Sequence, residues 1–126
     1  MVLIFVVSSM SAPPSLPAGI SDKVVHALAY AALGALMLRA LVGARWHDVR
    51  AGIALTALAI ALLYGVTDEW HQRYVAERMS DPLDLAADAV GATAGVGVAW
   101  AWGIVLSSMR QPASAGRARK KEVRRR

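Results

Sequence analysis

The chain has no cysteine, which excludes disulfides, thiolate nucleophiles and Cys-ligated zinc. It has little charge: 18% of its 126 residues are Asp, Glu, Lys or Arg, against about a quarter in soluble domains. A Gly-rich phosphate loop, a nucleophile elbow, a nucleotide fingerprint and an HExxH pair are also missing. The chemistries that those motifs carry therefore have no basis in the sequence. What is abundant is apolar: 56% of the residues are hydrophobic and the mean hydropathy is +0.43.

The few charges are segregated. From Arg110 onward there are eight Lys or Arg and a single acid, Glu122, so this stretch carries +7, whereas residues 1–109 hold six bases and eight acids and carry −2. A basic tail is able to bind nucleic acid. Directly after a membrane helix it instead sits beside anionic headgroups and sets topology, so the expected partners are membrane lipids and not nucleic acid. The chain divides accordingly into a transmembrane domain, 1–109, and a disordered basic tail, 110–126.

Three segments are long and apolar enough to cross a bilayer, which takes about 20 residues. Val24–Gly43 is interrupted only by His26 and Arg39, Ala51–Thr67 is uninterrupted, and Leu85–Leu106 is interrupted by Asp88. Ser21 reads as a helix N-cap, with Asp22 in the first turn where a carboxylate suits the dipole. The second span continues as a polar helical extension toward Tyr74, and Val75–Pro82 reads as a loop. Met1–Val7 is also apolar, but seven helical residues rise only about 11 Å. Ser8–Gly19 is a Pro/Ser/Gly-rich breaker, hence a loop. Met1–Met10 reads as the outer end of a helix whose inner half lies upstream of Met1. The expected fold class is all-α: a small polytopic helical membrane protein of four-helix type with a shortened first transmembrane helix. Its bases place Ala44–Arg50 and the C-terminal tail on one side, the cytoplasm by the positive-inside rule, and the Pro-rich and acidic loops outside.

Between Asp68 and Asp88 the sequence packs Glu69, His71, Gln72, Arg73, Glu77, Arg78, Asp81 and Asp84 between two apolar spans. Asp22 and His26 are i, i+4, and Glu69 and Gln72 are i, i+3. Asp84, Asp88, Gly91 and Gly95 form one helical stripe. Ala87, Gly91, Gly95, Ala99 and Gly103, and likewise Ala27, Ala31 and Ala35, repeat every four residues, as small residues do where helices approach closely in lipid. Simpler roles exist for several of these residues: Asp22 as a helix-end charge, His26 as an interhelical hydrogen bonder, His71 at the surface, and Arg73 with Glu77 as a solvated pair. Asp88 resists such a reading, because a charge one turn inside a span costs at least about 2.5 kcal/mol unless it is paired or protonated. Asp22, Lys23, His26, Glu69, Gln72, Arg78, Asp81, Asp84 and Asp88 are therefore expected to form one outward-facing polar cluster that binds a ligand. In it Lys23 and Arg78 would meet an anionic group. His26 and His71 with Asp68, Glu69 and Asp88 offer nitrogen and oxygen ligands, but their spacing fits no metal motif and Lys23 and Arg78 compete for the carboxylates. Neither a metal nor a cofactor is expected.

These residues resemble a known family. Ser8-Ser9, Asp22-Lys23, His26, Tyr30 and Leu33-Gly34, then Glu69 and Gln72, then Arg78, Asp81, Asp84, Asp88, Gly91 and Gly95 look like the pattern of VanZ-like bacterial membrane proteins, in an order covering nearly the whole chain from Val6. The resemblance implies a small four-helix protein of the bacterial plasma membrane. The family's founding member is tied to reduced susceptibility to glycopeptide antibiotics, chiefly teicoplanin. The chain departs from the pattern in its shortened first span and at Asp88, where many members have Asn. Three function classes follow. The first is a site that binds or acts on envelope lipids or amphiphilic, glycopeptide-type antibiotics. The second is an acid/base hydrolase or transferase on a lipid-linked substrate, with Glu69 or Asp88 as base and His26 as proton partner. The third is a structural assembly partner. The pattern sets no oligomeric state.

Overall fold

The computed structural model describes residues 1–10, 19–43, 46, 49–75 and 81–109. They form four helices in chain order: α1 (Val2–Ser8), α2 (Asp22–Val42), α3 (Ala51–Gln72) and α4 (Pro82–Met109). The all-α class and the short first helix are as expected, and α2, α3 and α4 are each long and apolar enough to span a membrane. The expected polar extension of the second span is helical to Gln72, two residues short of Tyr74, and α4 begins at Pro82, not Leu85. The reason is local chemistry. Proline suits the first position of a helix, where its missing N–H is not needed. Asp81 precedes it as an N-cap, its Oδ1 accepting from the Leu83 N–H at 2.9 Å. Ser21 does occupy the cap position of α2, but its side chain makes no capping bond. Gly43 closes α2 at φ 65°, a conformation glycine adopts without steric cost.

The spans turn apolar side chains outward. Leu28, Leu36, Leu55, Leu63, Val66, Val90 and Val98 are all exposed, the arrangement a lipid solvent favours. Threonine hydroxyls on the outer faces bond to their own backbone, as Thr56 does to the Gly52 carbonyl and Thr93 to the Ala89 carbonyl, so these two donors are not left to hydrocarbon. The interior is built by small residues. Gly91 packs on the backbone of Ala27 and Gly95 on that of Ala31, which joins the two small-residue ladders of the sequence as the α2–α4 seam. Gly34 meets the Ala92 carbonyl from the other side: a β-carbon there would lie 2.8 Å from that oxygen. Two apolar clusters stack along the bundle, Leu38, Val42, Ala54, Ala57 and Val96 at one end and Tyr30, Leu33, Ala61 and Ala92 nearer the other. Along α3 the buried stripe runs Ala54, Ala57, Ala61, Gly65, Asp68, Glu69 and Gln72. The same helix face thus passes from apolar to ionisable within one turn.

α1 packs at the polar end, with Ile4 against the Tyr30 cluster. The Tyr64 hydroxyl donates to the Met1 carbonyl at 2.8 Å, and Ser9 Oγ lies 3.1 Å from His71 Nε2. Phe5 stacks on the His71 ring at 4.8 Å. α1 thus runs beside the polar, C-terminal part of α3. Arg78, Glu77, most of the Pro-rich loop, part of the Ala44–Arg50 loop and the basic tail lie outside the described residues.

Candidate functional site

The antiparallel order of α2, α3 and α4 brings the start of α2, the end of α3 and the start of α4 to one end of the bundle. Asp68, Glu69, Gln72, Asp84 and Asp88 are buried there, none more than 7% exposed. Lys23 bridges α2 to α4: its ammonium donates to Asp81 Oδ2 at 2.7 Å and to Asp84 Oδ1 at 2.6 Å. Asp81 therefore serves twice, capping α4 with one oxygen and pairing Lys23 with the other. The Lys23 ammonium, aided by the Leu83 N–H, holds the Asp81 carboxyl below the usual carboxylate range.

One turn deeper, His26 lies between two acids. Its Nδ1 is 2.9 Å from Asp88 Oδ1, and its Nε2 is 3.9 Å from Asp84 Oδ2. Facing a carboxylate, which only accepts, Nδ1 is the donor. The second Asp88 oxygen points toward Gly65, where a β-carbon would lie 3.4 Å from it and 3.3 Å from the Tyr30 ring. Gly65 thus keeps open the space in which α3 meets both. Among the described residues, Asp88 Oδ2 and the Tyr30 hydroxyl have no hydrogen-bond partner, although Tyr30 lies within electrostatic reach of Asp88, Asp68 and Glu69. Buried polar atoms are nearly always bonded, so these two stand out within the cluster.

A scan against family models matches VanZ/LLP1 over residues 2–106. The chain belongs to the VanZ/LLP1 family. No curated protein and no solved structure matches it. The residues that carried the resemblance now have positions. Tyr30, Asp84, Asp88, Glu69 and Gln72 are buried at the polar end, and Gly91 and Gly95 form the seam below them. An Asn at the Asp88 position, as the resemblance implies for other members, would also fit this geometry. An amide oxygen accepts from His26 as the carboxylate does, and the amide nitrogen would take the place of the oxygen beside Gly65.

Of the nine residues expected in the cluster, eight lie at this end of the bundle and Arg78 is outside the described residues. Lys23, which the sequence sets against an anionic ligand group, shares its ammonium between two carboxylates here. The metal set read from sequence also separates, because His71 is taken up by Ser9 and Phe5 of the α1 end. Asp22, His26 and Asp84 do offer ligand atoms within 4.8 Å of one another. The Lys23 ammonium on Asp84 supplies positive charge at the same place. Sequence reasoning left two residues out of the cluster, Tyr30 and Asp68. Both were accessible by helical spacing: Tyr30 is four residues after His26, and Asp68 is four before Gln72, whose Nε2 lies 3.4 Å from Asp68 Oδ2.

Proposed function

We propose that this VanZ-family membrane protein sits in the bacterial plasma membrane with its polar cluster outward and its basic C-terminus in the cytoplasm. There it would bind the headgroup of an amphiphile: an envelope lipid or a glycopeptide-type antibiotic. The observation that carries the reading is the burial of five carboxyl or amide side chains, Asp68, Glu69, Gln72, Asp84 and Asp88, at one end of spanning helices. Ionisable groups in such a place are costly and mark functional sites. With Lys23 engaged, the described cluster is rich in acceptors, which suits a ligand part bearing hydroxyl or ammonium donors. A contribution to antibiotic resistance or envelope homeostasis would follow from that binding.

The orientation is tested by reporter fusions. The surplus of Lys and Arg on the Arg39–Arg50 and tail side should place Trp46 and Arg117 in the cytoplasm and Ser15 and Met79 outside. A cytoplasmic Met79 would overturn the outward site. The ligand is tested by teicoplanin susceptibility of cells carrying the full chain. Glu69→Gln and Gln72→Leu should each abolish any protection that the wild type confers while leaving membrane insertion intact. Loss of insertion in both would return the cluster to a purely structural role.

A second reading is favoured by the His26–Asp88 pair and the Asp84 carboxylate on the other ring nitrogen. A histidine between two acids is placed to pass a proton, as an acid/base hydrolase or transferase on a lipid-linked substrate requires. His26→Gln separates the two readings: it stops turnover of a lipid-linked substrate in the enzyme reading and leaves headgroup binding largely intact in the other.

A further inference from the structure

We propose a second lipid site at the opposite end of the bundle: the apolar groove between α2 and α4 holds one acyl chain of an anionic phospholipid, whose phosphate pairs with Arg39. The groove has a volume of about 510 Å³, and Ala31, Ala35, Trp46, Gly95, Val98 and Trp102 are among the residues lining it. It opens sideways to the lipid-facing surface, since Leu36 and Val98, both on its wall, are strongly exposed. Its walls are apolar, so an acyl chain enters without stranding a polar group.

The charge at its end selects the headgroup. Ala31, Ala35 and Arg39 are i, i+4 and i+8, so Arg39 continues the same stripe of α2 that forms one wall. The Arg39 guanidinium lies 5.1 Å from the centroid of the Trp46 ring, and Trp46 itself lines the groove. From Ala31 to Arg39 the helix rises about 12 Å, close to one leaflet's share, roughly 15 Å, of the hydrocarbon core. A chain lying in the groove would thus bring its phosphate to the level of Arg39 and Trp46, where arginine and tryptophan both mark the membrane surface. Arg39 has no carboxylate partner among the described salt bridges, in contrast to Lys23. Arg50 at the start of α3, and the eight bases after Met109, lie toward the same end in sequence, adding attraction for an anionic lipid. This site is distinct from the polar cluster and does not depend on the ligand of that cluster.

The test is quenching of tryptophan fluorescence by lipids brominated in the acyl chain. The full chain, carrying Trp70→Phe and Trp100→Phe, keeps only Trp46 and Trp102, both on the groove. It is placed in vesicles with brominated phosphatidylglycerol or brominated phosphatidylcholine. The wild-type groove should be quenched preferentially by the anionic lipid. Arg39→Gln should lower that preference about fivefold, the worth of one basic residue near an anionic surface, while Arg39→Lys retains it. Ala35→Leu, which fills the groove, should reduce quenching by both lipids. A preference unchanged in Arg39→Gln overturns the proposal. So does quenching that falls as the protein-to-lipid ratio rises, which would place a second copy of the chain in the groove. Should Arg39→Gln fail to fold, the wild-type comparison decides: equal quenching by the two lipids overturns the site.

Discussion

Gly91→Leu is expected to destabilise the detergent-solubilised protein by about 3 kcal/mol or more, the upper end of what overpacking a close-packed interior costs. A β-carbon at Gly91 would lie 2.7 Å from the Ala27 carbonyl carbon and 2.8 Å from its Cα. Both atoms belong to backbone, so no side chain is able to turn aside. α2 and α4 would have to separate, and the contacts of Gly95 on Ala31 and Gly34 on Ala92 would be lost with them. Two substitutions on the same helix serve as controls. Val90 is 68% exposed, and a β-carbon at Gly97 would meet nothing within 4 Å. Val90→Leu and Gly97→Leu should therefore stay within about 0.5 kcal/mol of the wild type. Unfolding in mixed micelles of rising dodecyl sulfate content, followed by circular dichroism, reads the difference. Equal stability of the Gly91 and Gly97 variants would remove the seam as the basis of the fold.

The second large effect is expected at Asp88. Asp88→Leu takes away the partner 2.9 Å from His26 Nδ1 in a buried place, and breaking a buried pair on one side costs about 3–5 kcal/mol. Asp88→Asn keeps an oxygen for the same bond, and its cost should stay near the worth of one ordinary hydrogen bond, about 1 kcal/mol. The same micelle titration ranks the two. If Asn proves as damaging as Leu, the negative charge and not the acceptor geometry is what the position supplies.

The positions of these residues explain how much of the molecule was legible beforehand. Helical spacing alone aligned Asp84, Asp88, Gly91 and Gly95 on one stripe of α4 and paired Asp22 with His26, because the 3.6-residue period fixes which residues share a face. It also put the polar ends of three spans together, since short connections between spanning helices allow only an up-and-down order. Spacing is silent on which side chains of different helices touch. Lys23 reads as free for a ligand in the sequence, and its engagement by Asp81 and Asp84 arises only where α2 crosses α4. Tyr30 reads as one more aromatic residue in an apolar run, and the cluster gains it because Gly65, far away in the chain, leaves room for its ring beside Asp88. His71 looks interchangeable with His26 as a ligand. The position of α1 alone separates them, through Ser9 and Phe5.

The sequence by itself determined the class of molecule, the number of long spans, the small-residue ladders and the family, because hydropathy, helical period and motif order are properties of the chain taken locally. The tertiary structure decided the pairing: Gly91 on Ala27, Lys23 between two carboxylates, His26 on Asp88, and the apolar groove between α2 and α4. These depend on the angle and depth at which helices cross, which are set by the volumes of residues on both partners at once and so are not written in either helix alone.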